Sequence, residues 1–283
     1  MLSLAAHSVY ALASAVFDET LAKAKTGNAE AQYNIGFMYE KGKDLPQDYR
    51  QAVIWYTMAA EQGFAAAQSS LGVMYNKGRG VPKDYQQALL WFNRAAYQGY
   101  VTAQSNLAVM YDIGQGIPQD FEQARIWFMR AADHEDAQAQ YNLGVMYDKG
   151  HGVPQDYEQA LEWYSKAAAQ GHPAAQYNLG VMYAIGQGTA RDFERSRFWY
   201  TRSARQGYIA AQYNLGVMYA LGQGVAPDFK QAYIWFFVGA AHGDANAAKR
   251  RDVAASRLTP EILEKARQEA AELVAQIEKS PVD

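Results

Sequence analysis

Apolar and polar positions alternate along most of the chain with the rhythm of amphipathic helices. From Ala137 to Asp148, apolar residues fall at Ala139, Leu143, Met146 and Tyr147, the i, i+4, i+7, i+8 spacing that puts them on one helical face. Gly150-His151-Gly152-Val153-Pro154 follows, a breaker-rich turn. Asp156 then stands where a helix N-cap is needed, its carboxylate able to accept backbone N–H bonds of the first turn. The next amphipathic run reaches about Gln170, with Ala160, Trp163, Tyr164, Ala167 and Ala168 on its apolar side. Gly171 closes it, where a helix end favours a left-handed residue. The pattern predicts a helix (A), a turn and an antiparallel helix (B).

This unit recurs. Ala-Gln-Tyr-Asn-Leu-Gly-Val-Met-Tyr starts almost verbatim at Ala31, Ala139, Ala175 and Ala211, and more loosely at Ala67 and Ala103, always 36 residues apart. The capping aspartate recurs in all six copies, as Asp48, Asp84, Asp120, Asp156, Asp192 and Asp228. All six Trp share one repeat position (Trp55, Trp91, Trp127, Trp163, Trp199, Trp235), and Met38, Met74, Met110, Met146, Met182 and Met218 share another. The aromatic and Met richness is therefore architectural. Gly36, Gly72, Gly144, Gly180 and Gly216, with Ala108 in the third copy, sit inside helix A, where Gly costs about 1 kcal/mol against Ala. Confinement to small residues implies close approach of a neighbouring helix.

A single helix pair cannot bury its apolar face, whereas stacked pairs can. The predicted fold is all-α: a right-handed α/α superhelical solenoid of six 36-residue helix-pair repeats with helical caps. The repeats occupy 31–246, starting at 31, 67, 103, 139, 175 and 211. Residues 16–30 read as an N-terminal capping helix and 247–283 as C-terminal capping helices. In the latter, Arg250 and Arg251 stand where core residues belong, and Thr259-Pro260-Glu261 starts a last helix. The 283 residues thus form one repeat array, although a prior of roughly 100–200 residues per domain suggests two compact domains.

The net charge of −3 argues against a general nucleic-acid binder. The absence of Cys removes thiol catalysis, disulfides and Cys-ligated zinc. There is no apolar run of transmembrane length. No catalytic constellation, cofactor motif or metal-ligand spacing stands out, so an enzyme is not expected, nor a cofactor or metal. His7, His134, His151, His172 and His242 fall in loops or at helix ends and read as solvated.

The motif A-x-x-x-L-G-x-M-Y-x-x-G-x-G-V-P-x-D-x-x-x-A-x-x-W-x-x-x-A-A-x-x-G, complete in Ala139–Gly171, resembles the Sel-one-like repeat family, close to tetratricopeptide repeats. The resemblance implies an α/α-solenoid that binds proteins or peptides and assembles complexes, in relatives often exported from bacteria. Some copies depart from the motif. Glu135 replaces the closing Gly in copy three, so helix B there is not expected to end in the same left-handed turn. Copy five lacks the loop Pro, and copy six shifts it to Pro227.

The partner-binding surface expected of such a scaffold is the concave face, lined by the third, seventh and tenth repeat positions. These are Tyr33, Phe37, Glu40; Ser69, Val73, Asn76; Ser105, Val109, Asp112; Tyr141, Val145, Asp148; Tyr177, Val181, Ala184; and Tyr213, Val217, Ala220. Either the Tyr and Val meet a ligand or they pack between adjacent A helices. Acids in copies one, three and four give way to Ala in five and six, which makes the C-terminal half the more adhesive. Alanine at Tyr177 and Tyr213 is then expected to weaken binding and leave melting nearly intact. The recurring Gln32-type and Asn34-type residues either bond a peptide backbone or satisfy carbonyls inside the stack, and their repetition favours the second.

Residues 1–15 are mildly apolar and end Ala13-Ser14-Ala15, an A-x-A cleavage pattern, but no Lys or Arg precedes them. They read as a signal peptide or an N-terminal helix, the first placing the chain in the periplasm or outside the cell, the second allowing the cytoplasm. The expected function is a monomeric protein- or peptide-binding scaffold in a bacterial envelope. An accessory to a cell-wall enzyme, or a secreted effector that binds a host protein, are the alternatives.

Overall fold

The computed structural model describes residues 16–42 and 45–279. The expected leader, 1–15, lies outside them. Among the described residues there are fifteen helices and no strand. They fall into two compact units, one through Asp136 and one from Ala137.

The first unit starts with α1 (16–25). Three A/B pairs follow: α2 (Ala29–Lys41) with α3 (Tyr49–Glu61), α4 (Ala65–Lys77) with α5 (Tyr85–Tyr97), and α6 (Val101–Ile113) with α7 (Phe121–Ala132). The second unit holds α8 (Ala137–Lys149) with α9 (Tyr157–Ala169), α10 (Pro173–Ile185) with α11 (Phe193–Arg205), and α12 (Ile209–Leu221) with α13 (Phe229–Ala241). It closes with α14 (Ala245–Ala255) and α15 (Pro260–Lys279). Each unit is thus a run of helix pairs, the building plan of an all-α solenoid, six pairs in all.

Local chemistry sets the boundaries. Each B helix begins at the repeated aspartate, whose carboxylate accepts first-turn N–H bonds, as Asp156 does from Glu158 and Gln159 at 3.0 Å. Gly171 and its counterparts hold left-handed backbone. Glu135 differs from the expectation. It takes the left-handed conformation despite its side chain, at φ +61. Its N–H bonds Ala132 O at 2.9 Å, and the Asp136 N–H reaches Ala131 O at 3.3 Å. The paired bonds of this turn outweigh the Cβ penalty, so the turn survives without Gly.

The core of each pair is built from Ala, Leu, Met and one aromatic ring of the B helix. Ala139, Leu143, Met146, Ala160, Tyr164 and Ala167 are all buried. The small residue in the A helix is required by that ring. A Cβ on Gly144 would stand 2.5 Å from Cδ1 of Tyr164, and one on Gly72 2.7 Å from Phe92. The approaching group is a side chain of the same repeat, so the neighbouring helix comes close through its ring. Trp residues link successive repeats: Trp91 joins the cluster of Tyr56 and Leu71, and Trp235 joins that of Tyr200 and Leu215.

The repeated Gln residues form a ladder that decides their role. Gln68 donates to Ala60 O at 3.1 Å and accepts from Gln98 at 2.7 Å; Gln176 donates to Ala168 O at 3.2 Å and accepts from Gln206 at 2.8 Å. Gln32, Gln104 and Gln212 donate to the matching carbonyl in the same way, so buried amides satisfy turn carbonyls between repeats, the structural alternative, while Gln104 Oε1, with His at position 134, stays unpaired. His242 takes the rung of the last copy, its Nδ1 2.9 Å from Gln212 Oε1. At the C-terminal end α15 lies on α13. Ile234 is 4% exposed beneath it, whereas Ile54 and Leu90 at the same repeat position are 46% and 41% exposed.

Candidate functional site on the A-helix face

The third-position tyrosines are half-buried, and three of the four rest on the N-cap residue of the next A helix. Tyr33 lies 5.4 Å from Phe64, Tyr141 stacks on His172 at 4.6 Å, and Tyr177 meets Tyr208 at 5.1 Å. Tyr213 is covered differently, with Arg250 Nε donating to its hydroxyl at 2.8 Å. Packing between repeats, one of the two readings of these rings, is what the contacts show, and each ring remains half-buried with the rest of it open. Melting is therefore not expected to survive Tyr177→Ala intact, since the ring also touches Tyr200 at 5.7 Å. His172 is not the solvated residue that the sequence suggests. It is half-buried against Tyr141, and its Nδ1 accepts from Ala175 N at 3.2 Å as an N-cap.

At the seventh position Phe37 is 39% exposed, while Val73, Val109, Val145, Val181 and Val217 are half-buried. At the tenth, Glu40, Asn76, Asp112 and Asp148 are half-buried, as are Ala184 and Ala220. Ser69 and Ser105 are buried, and Ser105 Oγ bonds Asp136 at 2.9 Å. Asn76 Oδ1 is buried without a hydrogen-bond partner.

Sequence reasoning missed the hydroxyls that reach this face from behind. The B-helix ring passes under the small residue of helix A, and in three copies that ring is Tyr. Each of these buried hydroxyls is treated differently. Tyr56 donates to Glu40 Oε2 at 2.7 Å. Tyr200 accepts from Asn214 Nδ2 at 3.2 Å. Tyr164 has no hydrogen-bond partner. Burial pushes all three well above the usual tyrosine range, and for Tyr56 the bond to Glu40 adds to it. They stay protonated near neutrality. The signal in the chain was the alternation itself: Tyr56, Tyr164 and Tyr200 against Phe92, Phe128 and Phe236, a hydroxyl present or absent on an otherwise constant ring.

Around Tyr164 the face opens into a cleft of about 240 Å³, bordered by Asp148, Lys149, Tyr177, Asn178 and Val181. Lys149 Nζ lies 2.9 Å from Asp148 Oδ2 and is itself 59% exposed. Among the described residues no group of three or more His, Asp or Glu is placed to hold a metal ion. No described helix is long and apolar enough to cross a membrane.

The fold defines a class, helix-pair repeat proteins that present an open face of A helices. The Sel1 repeat matches six times in succession, at residues 29–64, 65–100, 101–136, 137–172, 173–208 and 209–244, and the chain belongs to that family. These copies begin two residues before the starts assigned from the motif. A protective antigen of uropathogenic Escherichia coli strains, with an SLR fold, is 37% identical over 90% of this chain, with a TM-score of 0.81. The match spans 56% of that longer chain. A Sel1 repeat protein from Oxalobacter formigenes is 36% identical, with a TM-score of 0.69, over 74% of this chain and 84% of its own. No curated protein matches the chain. Sel1 repeat proteins act in general as protein-interaction scaffolds.

Proposed function

We propose that the chain is a non-enzymatic scaffold that binds a protein or peptide on its A-helix face. The observation that carries this is the state of that face. At its third, seventh and tenth positions most aromatic and aliphatic side chains are left half-buried, beside buried polar atoms without partners. Tyr at the edge of an open surface is favoured in interfaces, and unpaired buried polar groups are completed by a ligand or by water. The competing surface is the outer side of the B helices, where Ile54, Leu90 and Phe198 are exposed.

Photo-crosslinking separates the two. A photoreactive residue at 37, 145 or 181 is expected to trap a partner, and one at 54, 90 or 198 is not. Crosslinks confined to the second set would refute the assignment. We further propose that the protein works in a bacterial envelope or outside the cell. The Ala13-Ser14-Ala15 pattern supports this, as does the protective antigen among its similar structures. N-terminal sequencing of the mature protein tests it, since a chain beginning at Met1 in the cytoplasm would exclude export.

A further inference from the structure

The cleft between α8, α9 and α10 contains two groups that differ by one methylene from a completed site in the other unit. In the first repeat, Glu40 reaches the hydroxyl of Tyr56 at 2.7 Å. In the fourth, the same two positions hold Asp148 and Tyr164, and the shorter carboxylate makes no bond to the phenol. Tyr164 is 1% exposed, and its hydroxyl is buried at the cleft floor without a partner. A buried polar atom left unpaired in a cleft is the mark of a position that a ligand completes. The amides of Gln155, Asn178 and Gln187 also border the cleft.

Resting on the A-helix face as the partner-binding surface, we propose that this cleft takes a lysine side chain of the bound protein, its ammonium bridging Asp148 and the Tyr164 hydroxyl. The chemistry favours an ammonium. The cleft offers a carboxylate and an unpartnered phenol oxygen as acceptors, beside the amides of Gln155, Asn178 and Gln187, and an ammonium carries three donors around one compact charge. A guanidinium needs two free carboxylate oxygens for its planar fork, and Lys149 already holds Oδ2 at 2.9 Å. The Tyr177 ring borders the cleft, where the methylenes of the incoming side chain meet an aromatic surface. Because Lys149 is mostly exposed, water screens its ammonium from the incoming one, which takes the remaining oxygen of Asp148.

The test needs no knowledge of the partner. The full chain is titrated with n-butylammonium chloride, with its neutral counterpart N-butylacetamide, and with n-propylguanidinium, following the amide signals of Tyr164 and Asn178 by NMR. Saturable binding of n-butylammonium is expected, at least tenfold stronger than that of either other probe. Asp148→Asn should weaken it tenfold or more. Tyr164→Phe should weaken it several-fold and still fold, because Phe92, Phe128 and Phe236 occupy the same repeat position. Asp148→Glu keeps the charge but reaches Tyr164 as Glu40 reaches Tyr56, so it too should lose the ligand. Lys149→Ala should strengthen binding.

Unchanged affinity in Asp148→Glu or Tyr164→Phe would overturn the proposal, as would equal binding of N-butylacetamide or an absence of saturable shifts, which leaves a bridging water only. Any of these outcomes spares the broader reading, which stands or falls on the crosslinking pattern. Conversely, ammonium binding here with crosslinks confined to the B-helix side would keep the cleft and remove the scaffold assignment.

Discussion

Glu135 offers the cleanest measurement of what the turn between repeats costs. It is the one non-Gly residue with positive φ among the described residues, at φ +61. Six equivalent turns use Gly27, Gly63, Gly99, Gly171, Gly207 and Gly243, at φ +85 to +98. An L residue in left-handed backbone costs about 1–2 kcal/mol. Glycine avoids that cost but loses more unfolded-state freedom, about 0.4–1 kcal/mol. Glu135→Gly should therefore stabilise the chain by about 0.5–1 kcal/mol, or about 1–4 °C in melting temperature.

The reciprocal change is the control. Nothing lies within 4 Å of a Cβ built on Gly171, so packing does not confound Gly171→Glu. Its φ of +95 lies beyond the narrow left-handed well open to L residues, and the substitution should cost about 1–2 kcal/mol. Repeat arrays need not unfold in one step, so midpoints in urea should be paired with hydrogen exchange at the ends of α7 and α9. A lowered midpoint for Glu135→Gly, with Gly171→Glu neutral, would show that the left-handed penalty does not govern these turns.

Other consequences follow from the same contacts. Gly144→Ala gains about 1 kcal/mol of helix propensity but drives a Cβ to 2.5 Å from the Tyr164 ring, which overpacks by about 1–3 kcal/mol. A net loss of up to about 2 kcal/mol in urea denaturation is expected from those two terms, and in a Tyr164→Leu background the same change should instead gain stability relative to Tyr164→Leu alone; a loss that persists in that background would mean the ring is not the obstacle. Asp156→Ala removes the acceptor for Glu158 N and Gln159 N and should cost about 1 kcal/mol, read as faster exchange in the first turn of α9. Burial raises the Tyr164 and Tyr200 hydroxyls, so the folded chain keeps protons that the unfolded chain releases above the ordinary tyrosine value of about 10. Stability should be intact below that pH and fall as pH rises through it, and Tyr164→Phe with Tyr200→Phe should flatten the decline; an unaltered alkaline limb would assign it to other groups.

Much of the fold was legible before any coordinates. The 36-residue period, the two helices per period, the capping aspartates and the closing glycines are all written in residues a few positions apart. Helix faces, caps and left-handed turns are local properties, set by spacings of three and four and by the backbone of one residue. The need for a small residue at Gly144 was legible too, though not what it meets.

The candidate site was legible only as a set of positions. Whether Tyr177 meets a ligand or Tyr208, and whether Gln176 bonds a peptide or the Ala168 carbonyl, depends on groups from the neighbouring repeat. That His172 lies on Tyr141, that Glu135 keeps a left-handed turn, and that Tyr164 ends unpaired beside Asp148 are decided in the same way. Such contacts join residues about one period apart in sequence, and their geometry is set by how one helix pair seats on the next. A periodic sequence specifies which element forms and which side is apolar. One methylene at position 148 changes nothing in that pattern, yet in the folded chain it separates a carboxylate that meets the ring hydroxyl, as Glu40 meets Tyr56, from one that does not.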